Sequence, residues 1–266
     1  MVTPPAEAAG VLPPVTISEY EGVRYLHLGS IWVQGAMRLR KPDVIELDYV
    51  QRMLASLLWL PQPLPGQALA VQLGLGAGAI TRFTHGALGL RTIAVELNPL
   101  VINACRLWFH LPEDGPRLQV LRMDALRWLR ECAEPGSVQL LHVDLYDEDA
   151  AAPVLDDEDF YAACHRVLAA GGVMAVNLFG RRASFAASAA RIAAVFGAAQ
   201  VWSLRPTREG NTVIVGGRDV QVPGRAELLQ RAAQIEQRVG ALGLPARRWL
   251  RMVRPWRPAA YPATQR

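Results

Sequence analysis

The stretch ALAVQLGLGAGAITRFTHGALGLRTIAVELNPLVINACRLWFHLPEDGPRLQVLRMDALRWL, residues 68–129, decides the fold. It opens on an apolar run of strand length, ALAVQLGL, and passes into ITRFTHGAL at helical spacing. The alternation then repeats: TIAVEL reads as a strand, PLVINACRLWF as a helix, LQVLRM as a strand and DALRWLREC as a short helix. Downstream the rhythm continues with a fourth strand QLLHVDLY, a helix DEDFYAACHRVL closed by Gly171-Gly172, and a fifth strand VMAVNLFG. An alanine-rich helix, SFAASAARIAAVFG, precedes a closing strand pair, QVWSLRPT and NTVIVGG. Strands separated by helices need right-handed crossovers, so the sheet is expected to be mainly parallel and covered on both faces. The fold class is α/β, doubly wound, with a sheet of seven strands.

Working outward, residues 1–14 carry Pro4, Pro5, Pro13 and Pro14 and are expected to be a disordered lead-in. Residues 15–48 form a small N-terminal antiparallel β region from VTISEY, VRYLHLG and SIWVQGAMRL, with turns at Glu21-Gly22 and Gly29-Ser30. The segment DVIELDYVQRMLASLLWL has apolar residues at helical spacing until Pro61. Residues 49–217 are assigned to the Rossmann-like catalytic domain, and 218–266 to a basic C-terminal helix and tail. That helix, Gly224 to Leu242, sets Leu228, Leu229, Ala232 and Ile235 on one side, while the last dozen residues, with Pro255, Pro258 and Pro262, read as extended or loose.

Of the 266 residues 51% are hydrophobic and 20% charged, a globular composition. No apolar run approaches the ~18 to 20 residues of a membrane span, and MVTPPAEAAG lacks a signal region, so the expectation is a soluble, cytoplasmic protein. Cys105, Cys132 and Cys164 show no paired spacing and read as core thiols. The five histidines stand singly, so no metal site is expected. From Arg218 onward ten arginines face three acids, but Lys41 is the only lysine, and an arginine bias along the whole chain does not point to nucleic acid.

The first strand runs into Gly74-Leu75-Gly76-Ala77-Gly78, a turn where glycines let backbone approach a ligand. Glu96 closes the second strand about twenty residues later, placed to accept hydrogen bonds from two ribose hydroxyls. Asp124 ends the third strand, where a carboxylate can accept an adenine amine or cap the next helix, and one residue can do both. Ala125 follows it at the pocket. Three such features at the carboxyl ends of consecutive strands point to a nucleoside pocket. Asp144 and Asp147 lie at the end of the fourth strand, where an acid without a partner is costly. Eight acids fall between Asp144 and Asp159 with no base among them, a field that draws polycations; the alternative for Asp156 to Asp159 is that they cap and polarise the following helix.

The order of these motifs resembles the class I methyltransferase-like fold, and more closely the spermidine synthase (polyamine aminopropyltransferase) family. The resemblance spans roughly Tyr25 to Gly216 and rests on RYLHLGSIWVQGAMRL, VELNPLVINACRLWFHLPEDGPRLQVLRMDALRWL, VDLYDED and NTVIV. It implies an enzyme, a transferase of polyamine biosynthesis, in which Asp144 acts near the reacting amine, Asp147 holds the amine substrate, Glu96 binds the donor ribose, Asp124 binds adenine, and Gln34 and Tyr49 line the pocket. It further implies decarboxylated S-adenosylmethionine as co-substrate, no permanently bound cofactor, a small-molecule amine such as putrescine as acceptor, and a homodimer. The chemistry asks for an acid independently: an alkylamine is mostly protonated at neutral pH and must shed a proton before it attacks carbon beside a sulfonium.

The sequence departs from the family at the glycine loop, where a common acid is replaced by Ala77, and at Tyr49-Val50-Gln51, where the family has Tyr-His-Glu. Two alternatives follow. An S-adenosylmethionine-dependent methyltransferase would use the space left at Ala77 for the donor carboxylate; a non-catalytic descendant would keep nucleoside binding alone.

Overall fold

The computed structural model describes residues 12–146, 155–179 and 182–257. In chain order the strands and α-helices are β1 (Val15–Tyr20), β2 (Val23–Leu28), β3 (Val33–Arg38), α1 (Asp48–Met53), β4 (Leu69–Leu73), α2 (Ala79–Arg82), β5 (Arg91–Glu96), α3 (Pro99–Trp108), β6 (Leu118–Arg122), α4 (Ala125–Glu131), β7 (Val138–Val143), α5 (Glu158–Val167), β8 (Leu168–Phe179), α6 (Arg182–Phe196), β9 (Val201–Leu204), β10 (Asn211–Gly217), α7 (Arg225–Val239), α8 (Ala246–Trp249) and β11 (Val253–Pro255).

The large sheet has the order β11-β9-β10-β8-β7-β4-β5-β6. Its five central and distal strands pair in parallel, while β10, β9 and β11 add in antiparallel fashion. It has eight strands rather than seven because Val253–Pro255, which the sequence did not mark as a strand, pairs along β9. Pro255 is tolerated there because β11 is an edge strand. From β4 the chain moves to β5 and β6 on one side and then crosses to β7 on the other, so the topology reverses between β4 and β7. Open α/β sheets bind ligands at that crevice.

Both sheet faces are covered. Residues 54–59 continue α1 as a tight 3-10 turn, not the single helix expected, because all six side chains are buried among α7, β8 and α8 and no solvent face remains. The segment after the glycine loop is likewise a single α-helical turn followed by a π turn at Phe83–Ala87. On the opposite face α4, α5 and α6 pack through Trp128, Phe160, Tyr161 and Ile192. The helix before β8 ends at Val167, and Gly171-Gly172 lie within the strand at its register shift. The C-terminal segment belongs to the first core: Ala232, Ile235, Val239 and Trp249 are buried with Met53 and Leu57, whereas Leu229 faces outward.

β1, β2 and β3 form a separate antiparallel sheet, with Glu21-Gly22 at positive φ in the first turn. It docks through Leu26 and Met37 on Cys105 and Phe109 beside β5 and α3. Gly35 is the point of closest approach, since a Cβ there would stand 2.5 Å from that of Ala77. Among the described residues no helix is long and apolar enough to cross a membrane. Cys105 and Cys164 are buried, but Cys132 is exposed and is not a core thiol.

Candidate active site

The site forms where β3, the glycine turn, and the carboxyl ends of β5, β7 and β8 converge. Gly74 has φ +84°, and a Cβ on it would overlap the carbonyl of Asp144. The two strand ends are stitched together there, because Asp144 N donates to the Leu73 carbonyl at 2.9 Å. Gly76, also at positive φ, lies against the carbonyl of Gln34, bringing β3 to the turn.

Glu96 is half-buried at the end of β5. Leu75 N donates to its Oε2 at 2.9 Å and Asn98 N to its Oε1 at 2.8 Å, which fixes the carboxylate and leaves lone pairs on both oxygens. Burial raises its pKa, and these backbone donors oppose the rise. Asp124 is the N-cap of α4, accepting from Arg127 N at 2.8 Å through Oδ1. Gly74, Gly76, Glu96, Asp124, Ala125 and Gln34 line one recess of about 130 Å³ that also reaches Asp144. Gly78 does not line it; it starts α2 in the left-handed conformation.

Asp144 sits at the sheet crevice with Asn177 Nδ2 donating to its Oδ1 at 2.9 Å and the Tyr49 hydroxyl turned toward it. Burial raises its pKa and those two hydrogen bonds pull it back. Tyr49 is in turn held well above its ordinary range, first by burial and then by the Asp144 charge. It is a neutral donor rather than a base. Tyr146, the residue after next, donates to the Asn177 carbonyl at 2.9 Å and accepts from Phe179 N at 2.5 Å, tying the end of β7 to β8. His142, two residues before Asp144, is buried with neither ring nitrogen partnered, and burial pushes it down to about 3. It is therefore neutral and not a proton acceptor at ordinary pH. Asp147 lies outside the described residues.

A second cavity, about 560 Å³, opens on the other side of Asp144. Its walls are Trp32, Phe179, Tyr25 and Leu47, with the acids Glu46, Asp48 and Glu209 among its lining. Gln34, Tyr49, Tyr146 and Asn177 complete it next to Asp144. A third recess behind the glycine turn is only about 10 Å³, at the threshold for one water. Ala77 therefore does not open space for a donor carboxylate, because Gly35 and β3 close over it. Asp144 and Gln34 line all three spaces.

Asn177 and Tyr146 are site residues that sequence reasoning missed. Asn177 is the one polar side chain in VMAVNLFG, at the carboxyl end of a buried strand, and that position was its signal. Of the acids before α5, Asp157 is the N-cap, accepting from Phe160 N at 2.7 Å, with Glu158 and Asp159 in the first turn. Asp156 is different: it accepts from Tyr161, Ser188 and Arg191 and pins α6 to α5. Among the described residues no cluster could hold a metal ion.

No protein-family model matches the chain. It is 32% identical over 243 residues to the polyamine aminopropyltransferase of Chromobacterium violaceum, an alignment covering 90% of this chain and 88% of the relative. A probable spermidine synthase from Corynebacterium glutamicum superposes with a TM-score of 0.71 at 21% identity, covering 91% of this chain and 90% of the other. Human methyltransferase-like protein 13 in complex with SAH superposes with a TM-score of 0.63 at 22% identity, covering 81% and 98%.

Proposed function

The chain belongs to the polyamine aminopropyltransferase family, and on that premise we propose that it transfers the aminopropyl group of decarboxylated S-adenosylmethionine to an amine such as putrescine. The observation that carries this reading is the position of Asp144, whose carboxylate lines both the recess beside Glu96 and Asp124 and the aromatic, acid-bearing cavity across from it. A donor sulfur emerging from the first and an amine lying in the second would meet at that carboxylate.

In this reading Glu96 takes the ribose hydroxyls, Asp124 the adenine amine with the oxygen not capping α4, and the Ala125 backbone the ring edge, while Gly74 and Gly76 let the turn approach the sulfonium. Asp144 takes a proton from the acceptor ammonium, and the freed nitrogen lone pair attacks the carbon beside sulfur. The carbon–sulfur bond breaks, its electron pair returns to sulfur, and a neutral thioether nucleoside leaves. A carboxyl with a raised pKa is a better proton acceptor than an ordinary one. Asn177 donates to the carboxylate and aims it, Tyr49 stands beside it with its hydroxyl donating to the Gln34 carbonyl at 3.5 Å, and Gln34 lines the junction. Asp147, outside the described residues, would hold the amine. Membership of this family also motivates residence in the cytoplasm and assembly as a homodimer. Methyl transfer is disfavoured by the closed recess at Ala77, which leaves a donor carboxylate no room there.

The test is incubation with decarboxylated and ordinary S-adenosylmethionine and a panel of amines. We expect aminopropyl product from the decarboxylated donor, and a loss of about 10²- to 10⁴-fold in kcat for Asp144→Asn. No product with any amine, or an Asp144→Asn enzyme equal to wild type, would falsify the assignment.

A further inference from the structure

A recess of about 400 Å³ lies at the opposite end of the large sheet from Asp144. Pro135 and Gly136 ahead of β7, Ala162, His165 and Arg166 on α5, and Arg218 after β10 line it. Gly136 and α5 lead into the amino ends of β7 and β8, and β10 runs antiparallel to β8, so Arg218 returns to that same end. Three basic side chains therefore meet far from the candidate active site.

Each guanidinium is anchored by one nitrogen. Arg218 Nη1 donates to the Arg166 carbonyl at 3.1 Å and to the Leu168 carbonyl at 2.7 Å, and Arg166 Nη2 donates to the Leu129 carbonyl. With Gly136 N on the Arg166 carbonyl at 3.0 Å, these bonds satisfy carbonyls at the ends of α4 and α5. Capping accounts for those nitrogens and no others. Nε and Nη2 of Arg218 and Nε and Nη1 of Arg166 have no hydrogen-bond partner among the described residues. Nearby acids do not neutralise the pair: Asp219 comes only within 3.9 Å of Arg218 Nε, and exposed Glu134, beside Pro135, bonds neither arginine. His165 stands edge-on to Phe196, with centroids 5.0 Å apart, and its pKa is held down first by burial and then by the Arg218 charge, with Asp219 opposing.

Donors already fixed by backbone carbonyls lose little freedom on meeting a ligand. A tetrahedral oxyanion has enough oxygens for two guanidinium forks and an imidazole together, whereas a carboxylate has two. We propose that this recess binds a phosphate-type dianion, either inorganic phosphate or the phosphoryl end of a small phosphomonoester, through Arg166 and Arg218 with His165 at its side. Pro135 and Ala162 supply the apolar wall where an ester substituent would rest. No residue of the recess lines the spaces around Asp144, so the inference stands apart from the transferase reading.

The experiment follows the His165 ring protons of the full chain by NMR, assigned by their loss in His165→Gln. Inorganic phosphate, glycerol phosphate and acetate are each titrated against chloride at matched ionic strength. Phosphate is expected to move the signals saturably toward the position of the protonated ring, since a neighbouring anion favours the charged imidazole. Tighter binding of glycerol phosphate identifies an ester as the ligand, and equal or weaker binding identifies the free ion. Ala162→Glu sets a carboxylate one helical turn before Arg166 while leaving every capping bond in place, and is expected to weaken phosphate about tenfold or more. Arg218→Gln is expected to weaken it similarly. Shifts that chloride reproduces, acetate binding as tightly as phosphate, or undiminished phosphate binding in Ala162→Glu each overturn the assignment. Amine turnover, present or absent, bears on the transferase reading alone.

Discussion

Asp144 shows how a residue can be kept against the interest of the fold. Burial raises its pKa, so across the window between its unfolded and folded values the native state holds the proton more tightly than the unfolded chain does. The native state's relative stability then falls as pH rises through that window, and above it the ionised carboxylate is a fixed cost. Asp144→Asn removes the charge and keeps an oxygen for Asn177. The variant is expected to melt at or above the wild-type Tm at pH 8, with the difference shrinking toward pH 4, while turnover is lost. A variant that melts several degrees lower at pH 8 would show that the ionised carboxylate stabilises the fold. Glu96 has the same raised direction, but two backbone donors grip it. An amide at that position would face one of those N–H groups with its own, so Glu96 is held by the fold as well as offered to a ligand.

Among the elements, the glycine turn between β4 and α2 does most to shape the site. Gly74 is held there by two independent constraints: positive φ, and a backbone approach that leaves no volume for a methyl beside the Asp144 carbonyl. Gly74→Ala is expected to cost about 2–4 kcal/mol through strain and overlap, lowering Tm by roughly 5–15 °C. Because the displaced group is the end of β7, donor binding and turnover should fall with it. A thermal scan paired with nucleoside titration checks this, and a variant that loses stability but keeps full affinity would show that the turn and β7 move independently. Helix starts were legible because their chemistry is local: Asn98 accepts from Leu100 N with Pro99 behind it, and Asp124 and Asp157 cap their own helices. The tight winding of residues 54–59 was not legible, since a helical apolar pattern gives the same sequence whether one face or the whole circumference is buried.

For the molecule as a whole, α3 and its entry expose Leu97, Leu100, Leu107 and Trp108, with Leu107 at 74% of full accessibility. Leu100 and Leu107 are seven residues apart and share a helix face. This apolar surface is where the proposed homodimer would form. Light scattering should give twice the chain mass, and Leu107→Glu should shift it toward the single chain; a wild-type mass of one chain removes the dimer. The sequence by itself determined the mainly parallel sheet and the placing of Glu96, Asp124 and Asp144 at the carboxyl ends of three consecutive strands, because hydrophobic period, caps and acids at strand ends are written in neighbouring residues. Only the tertiary structure decided that Asn177 and Tyr146 flank Asp144, that Ala77 is closed over by Gly35, that Val253–Pro255 makes an eighth strand, and that Arg218 shares a recess with His165 and Arg166. Those relations join segments that lie far apart in the chain. Local pattern carries no information about which distant backbone will come to rest against it.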